Sequence, residues 1–91
     1  MSDYKLAETK NFIKSINSDL NKKKHYEEIK SKIYPILKEN PFKLENVKQL
    51  KGNFKGVLCF RMGNYRLFYV VDTDKRIVII LDFIHRKDAY R

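Results

Sequence analysis

Apolar residues are distributed along this chain with two different periods. The C-terminal half carries three short runs rich in Val, Ile, Phe, Tyr and Leu, at residues 57–62, 65–71 and 76–84. β-branched and aromatic residues at this density predict strands. Gly63-Asn64 separates the first two runs and reads as a two-residue hairpin turn with glycine first. Asp72-Thr73-Asp74-Lys75 separates the second from the third. The half-chain therefore predicts an antiparallel meander. The turn also sets a register in which Met62 faces Tyr65, Arg61 faces Arg66, Phe60 faces Leu67 and Cys59 faces Phe68.

The N-terminal half follows the helical period. Thr9 is an expected N-cap, and Phe12, Ile13, Ile16 and Leu20 form a stripe that predicts a helix over residues 10–20. A break near Asn21 opens a second helix, with Tyr26, Ile29, Ile33, Ile36 and Leu37 as its apolar stripe. Its lysines, and His25 beside them, fall on the exposed side. Pro35 removes one backbone donor and predicts a kink or an end, and Asn40-Pro41 stops the helix. Tyr4 to Ala7 alternates like an edge strand that joins the meander. Residues 42–55 read as a lysine-rich connector with a turn at Gly52-Asn53. The expected architecture is α+β: an N-terminal helical hairpin on a twisted antiparallel sheet of three to four strands.

Both faces of that sheet are apolar in pattern. One carries Val57, Cys59, Phe68, Val70, Ile77, Ile79 and Leu81 with the two arginines, the other Leu58, Phe60, Met62, Leu67, Tyr69, Val78 and Ile80. Two helices cover one face only. The arginine face is the expected open one, because its charges are hard to bury unpaired. Arg61 and Arg66 directly opposite each other repel. An anion between them reverses that cost; the plain alternative is that both splay into water.

Composition narrows the function. Ninety-one residues make one small domain. No apolar run approaches the ~20 residues of a membrane span, and the first residues lack the apolar segment of a secretory signal. A single cysteine, Cys59, suits a reducing cytosol and reads as packing rather than as a nucleophile. The formal charge is +9, from 20 Lys and Arg against 11 Asp and Glu. The excess is spread over Lys22 to Lys24, the connector, the hairpin arginines and Arg86-Lys87, which points to a polyanion such as RNA, DNA, the ribosome or an acidic protein. No nucleotide-binding glycine motif, no metal-ligand spacing and no cofactor signature is present.

The remaining titratable set is Arg61, Arg66, His85, Arg86 and Tyr90. It suits attack of an RNA 2′-hydroxyl on its adjacent phosphate, which needs a base, cationic donors and an acid, and neither metal nor cofactor. Each member also has an ordinary reading, as surface charge, a strand-end histidine or a tail anchor.

Three segments, Leu50-Lys51-Gly52, Phe60-Arg61-Met62-Gly63-Asn64-Tyr65-Arg66-Leu67-Phe68-Tyr69 and His85-Arg86-Lys87-Asp88-Ala89-Tyr90-Arg91, resemble the RelE/ParE superfamily of toxins from type II toxin–antitoxin systems. The family pattern is K-L-K-G, F-R-x-G-[DN]-Y-R-[ILV]-x-Y and H-R-x-x-x-Y. For the RelE branch the resemblance implies an mRNA endoribonuclease acting in the ribosomal A site, in the cytoplasm. It implies a small acidic antitoxin as partner, DNA contact only indirectly through the antitoxin complex, and no membrane. Carried over by motif position, Arg66 stabilises the transition state, Arg86 holds phosphate, Tyr90 stacks or assists proton transfer, and His85 is the acid/base candidate. Arg61 is a second phosphate contact. Relatives commonly carry a basic residue where this chain has Cys59, so Lys51 or Lys55 is expected to reach in instead, and Lys87 is a further substrate contact. The ParE branch shares the fold and acts on DNA gyrase. A basic binding module without catalysis is the third alternative.

Overall fold

The computed structural model describes residues 3–50 and 56–88. Its sheet has five strands in the order β1-β5-β4-β3-β2, where β1 is Lys5–Glu8, β2 Val47–Gln49, β3 Leu58–Met62, β4 Tyr65–Asp72 and β5 Ile77–His85. This corrects the expected count of three to four strands. It also corrects the purely antiparallel arrangement, because β1 pairs with β5 in parallel. The extra strand is β2, three residues of the lysine-rich connector that pair with β3.

The helical layer is likewise not a simple hairpin. α1, Lys10–Asn17, is capped by Thr9, whose hydroxyl accepts from the Phe12 amide at 3.0 Å. After Ser18 and Asp19 a single long helical run covers residues 20–39. It comprises α2 (Leu20–Glu28), a π turn (Ile29–Ile33) and α3 (Tyr34–Glu39). The π turn has a local cause. Pro35 cannot donate and its ring crowds the preceding turn, so the helix widens just before it, and the Tyr34 amide bonds to the Ile29 carbonyl five residues back. The extra residue rotates the last turns of the run. Ile33, Tyr34 and Leu37 are buried, whereas Ile36, which belongs to the stripe read from the sequence, comes to the surface. Leu20 starts α2 rather than ending α1 and is 76% exposed.

The helices cover the face bearing Phe60, Met62, Leu67, Tyr69, Val78, Ile80 and Phe83, and together they form one core with Phe12, Ile16, Ile29 and Leu37. The hairpin register is the expected one, including Arg61 opposite Arg66. Gly63 holds φ +59°, which a side chain would strain.

A bulge in β5 decides which residues reach which face. Tyr69 pairs with Ile80 but Phe68 pairs with Asp82, so Leu81 is the extra residue. Its carbonyl is taken by the Thr9 hydroxyl at 3.0 Å and the Asn11 amide at 3.2 Å, and Ser15 Oγ donates to the Phe83 carbonyl at 3.0 Å. α1 is thereby tied to β5 by polar bonds along the bulge. Beyond it the alternation inverts: Phe83 and His85 turn to the helix side, and Asp82 and Ile84 to the arginine side.

Two polar features of the core bear on stability. The Glu8 carboxylate accepts from the Tyr26 and Tyr34 hydroxyls, each at 2.7 Å, pinning β1 to the long helix. Burial and the bond to Glu8 push the Tyr26 phenol up to about 12. The same causes push the buried Tyr34 phenol further up. The Tyr69 hydroxyl, by contrast, is buried with no hydrogen-bond partner among the described residues. An unpaired buried hydroxyl costs about 1–3 kcal/mol. Tyr69→Phe is therefore expected to raise stability by about 1 kcal/mol in urea unfolding; a loss of similar size would mean the hydroxyl is paired after all.

Candidate anion-binding site

On the face away from the helices, Arg61 of β3 and Arg66 of β4 stand side by side. Arg66 is 7% exposed, yet its one hydrogen bond among the described residues runs from Nη1 to the carbonyl of Tyr65 at 3.2 Å. Among the described residues no carboxylate forms an ion pair with it. A guanidinium this deep ordinarily has a carboxylate beside it. Here its nearest company is cationic. Arg66 lines a cavity of about 180 Å³ together with Arg61, Lys48, Leu50 and Cys59. Lys48 comes from β2, where it pairs with Cys59.

Cys59 is buried in this wall. Burial pushes its thiol up, and the opposing charges of Arg66, Arg61 and Lys48 do not overcome that. It is a neutral packing group, as its strand position suggests. A lysine that was not among the expected ones stands in this wall. Lys48 lines the cavity, whereas Lys51 and Lys55 lie outside the described residues. Lys48 was hidden because a three-residue strand with two exposed positions has no readable alternation.

The other candidates divide. The Arg86 amide donates to the Asn64 carbonyl at 2.7 Å, so this exposed residue sits at the mouth of the β3–β4 hairpin. Lys87 follows in the same short 3-10 turn, Arg86–Asp88. Tyr90 lies outside the described residues. His85 is not in the arginine cavity. It pairs with Tyr65, on the helix side, with ring centroids 5.1 Å apart. Strict alternation from Ile77 would have put it beside Arg66; the bulge at Leu81 turns it away. His85 instead shares a second cavity with His25, which the sequence placed on the exposed side. His25 lies four residues before the buried Ile29, and that spacing was the available signal.

Among the described residues no group of three or more His, Cys, Asp or Glu side chains is arranged to hold a metal ion, and no helix is long and apolar enough to cross a membrane.

Residues 4–90 match the family model of the ParE toxin of the type II toxin–antitoxin system parDE. The chain belongs to this toxin family, within the RelE/ParE superfamily. A curated relative in Methanocaldococcus jannaschii, described as a toxin and named RelE1, is 42% identical over 57 residues. That match covers 60% of this chain and 62% of the relative. Among solved structures, the archaeal RelE–RelB complex from Pyrococcus horikoshii superposes with a TM-score of 0.75 at 28% identity, over 98% of this chain and all of that one. The RelB–RelE antitoxin–toxin complex from Methanococcus jannaschii gives 0.71 at 26% identity, over 92% of this chain and 94% of that one. The fold that carries the arginine cavity in this chain is thus the fold of RelE toxins.

Proposed function

We propose that this chain is an mRNA endoribonuclease toxin that acts in the ribosomal A site and is neutralised by a small acidic antitoxin. The observation that supports this most directly is the buried, carboxylate-free guanidinium of Arg66, facing Arg61 and Lys48. Like charges gathered in a partly enclosed cavity repel one another, and an anion between them relieves that repulsion. A phosphodiester is an anion that arginine grips in two-pronged fashion. In the proposed reaction the RNA 2′-oxygen loses its proton and bonds to the adjacent phosphorus. The bond to the 5′-oxygen breaks and that oxygen gains a proton, leaving a cyclic phosphate. Arg66 and Arg61 hold the charge that builds on the phosphorus oxygens, Lys48 neutralises it from β2, and Arg86 meets the strand at the hairpin mouth. Tyr90 is the candidate for stacking or proton transfer. His85, expected as the acid/base, lies on the helix side and outside the arginine cavity.

Both archaeal relatives are complexes of RelE with RelB, which supports an antitoxin partner, and the +9 charge suits an acidic one. The ParE description of the matching family supports a second reading, inhibition of DNA gyrase.

One experiment separates them. The protein is added to translating ribosomes, and the 5′ ends of the message are mapped. A-site cuts that weaken several-fold in Lys48→Ala and vanish in Arg66→Ala are expected. Intact message with trapped gyrase–DNA cleavage complexes would establish the second reading instead.

A further inference from the structure

The cavity on the helix side, about 520 Å³, falls in the size range of small-ligand sites. His25 from α2 and His85 from β5 both border it, half-buried, and both pack on Tyr65, at 4.8 and 5.1 Å between ring centroids. Asn21 and Asn64 add two side-chain amides. The Lys87 amide donates to His85 Nδ1 at 3.3 Å, so the neutral ring carries its proton on Nε2. The charges balance. Lys22 and Lys87 border the cavity together with Asp19 and Asp88, Asp19 Oδ1 accepts from the Asn21 backbone N–H at 2.7 Å, and Lys22 Nζ donates to Ser15 Oγ at 2.8 Å. The lining's two lysines and two aspartates cancel in formal charge, so they do not single out a bare phosphate. Aromatic walls with amides that both donate and accept match the flat face and polar edge of a base instead.

Tyr65 and Arg66 are consecutive in β4 and point to opposite faces, so the two cavities lie back to back across one sheet layer. A strand rounding the Gly63-Asn64 turn meets both. We infer that the His25–His85 cavity takes a nucleobase of the single-stranded RNA whose phosphate occupies the arginine cavity. This rests on the nuclease reading for the identity of the strand. It makes His25, His85 and the two asparagines the residues that set base preference.

The test is an NMR titration of the whole protein, observing the histidine and Tyr65 ring protons, with each of the four ribonucleosides and separately with inorganic phosphate. Nucleosides are expected to shift the His25 and His85 ring protons upfield and saturably, purines most. His25→Ala should weaken this binding about tenfold, and His25→Phe should retain it, since stacking needs only the ring. Arg66→Met should leave the nucleoside response in place. Imidazoles that nucleosides leave unmoved, or that phosphate alone moves, overturn the inference, as does binding undiminished in His25→Ala. Cutting of mRNA without nucleoside binding removes the base pocket and leaves the nuclease reading standing. Nucleoside binding without cutting does the opposite.

Discussion

Replacing Arg66 with methionine is expected to lower mRNA cutting by about a hundred- to a thousandfold while raising the melting temperature. The loss follows from removing a preorganised charge at the phosphorane, typically worth that factor. The gain follows from the same burial. Arg66 is 7% exposed, faces Arg61 and carries no carboxylate among the described residues. An apolar side chain of similar length removes a cross-strand repulsion and an uncompensated charge, for a gain of about 1–2 kcal/mol. In a domain of this size that raises the melting temperature by roughly 5–15 °C. Opposite signs for activity and stability are the mark of a residue held for its ligand. A variant that melts lower than wild type would show that the guanidinium is structural, and the phosphate site would lose its main support.

Glu8→Ala carries the largest expected cost in stability. Both tyrosine hydroxyls lose their acceptor at once, and Tyr34 is too buried to find water. Bonds to a charged acceptor are worth about 1.5–3 kcal/mol each, and some of that is recovered at the half-buried Tyr26, so a net loss of about 3 kcal/mol is expected in urea unfolding. A loss below about 1 kcal/mol would mean that β1 is held by its pairing with β5 alone. The cluster also predicts alkaline sensitivity. An unfolded tyrosine titrates at 10.0, whereas Tyr26 is pushed up to about 12 and Tyr34 further. Above pH 10 the unfolded chain releases protons that the folded protein retains. The stabilisation is thus complete below pH 10 and is lost as pH rises toward 12 and beyond. Stability measured across that range should fall less steeply in Tyr34→Phe than in wild type.

The parts of the fold that were legible in sequence were those governed by neighbours. The hairpin register followed from Gly63-Asn64, and the cap at Thr9 from its hydroxyl before an apolar run. The face left open by the helices was the arginine face as expected, although Arg66 itself ends up buried there. What escaped were features set by distant partners. β1 was expected as an edge strand, but nothing local says that it joins β5 in parallel, and the three-residue β2 beside β3 gave no signal at all. The π turn shifted the helical phase by one residue and exchanged Ile36 for Tyr34 in the core. The bulge did the same to the strand, and with larger consequence. One inserted residue, Leu81, puts His85 on the helix side, where strict alternation would have set it beside Arg66. The first has a local cause in Pro35, whereas the second lies where α1 bonds the Leu81 carbonyl from some seventy residues away.

β1 lies beside β5, whose residues are some seventy positions further along the chain. During synthesis the first strand emerges early and waits for nearly the whole message to be read before its partner exists. A transcript severed anywhere upstream of residue 77 yields a peptide whose Glu8 and Thr9 have no sheet to dock on. On the nuclease reading, a cut in its own message ahead of that point would leave a fragment unable to close the sheet.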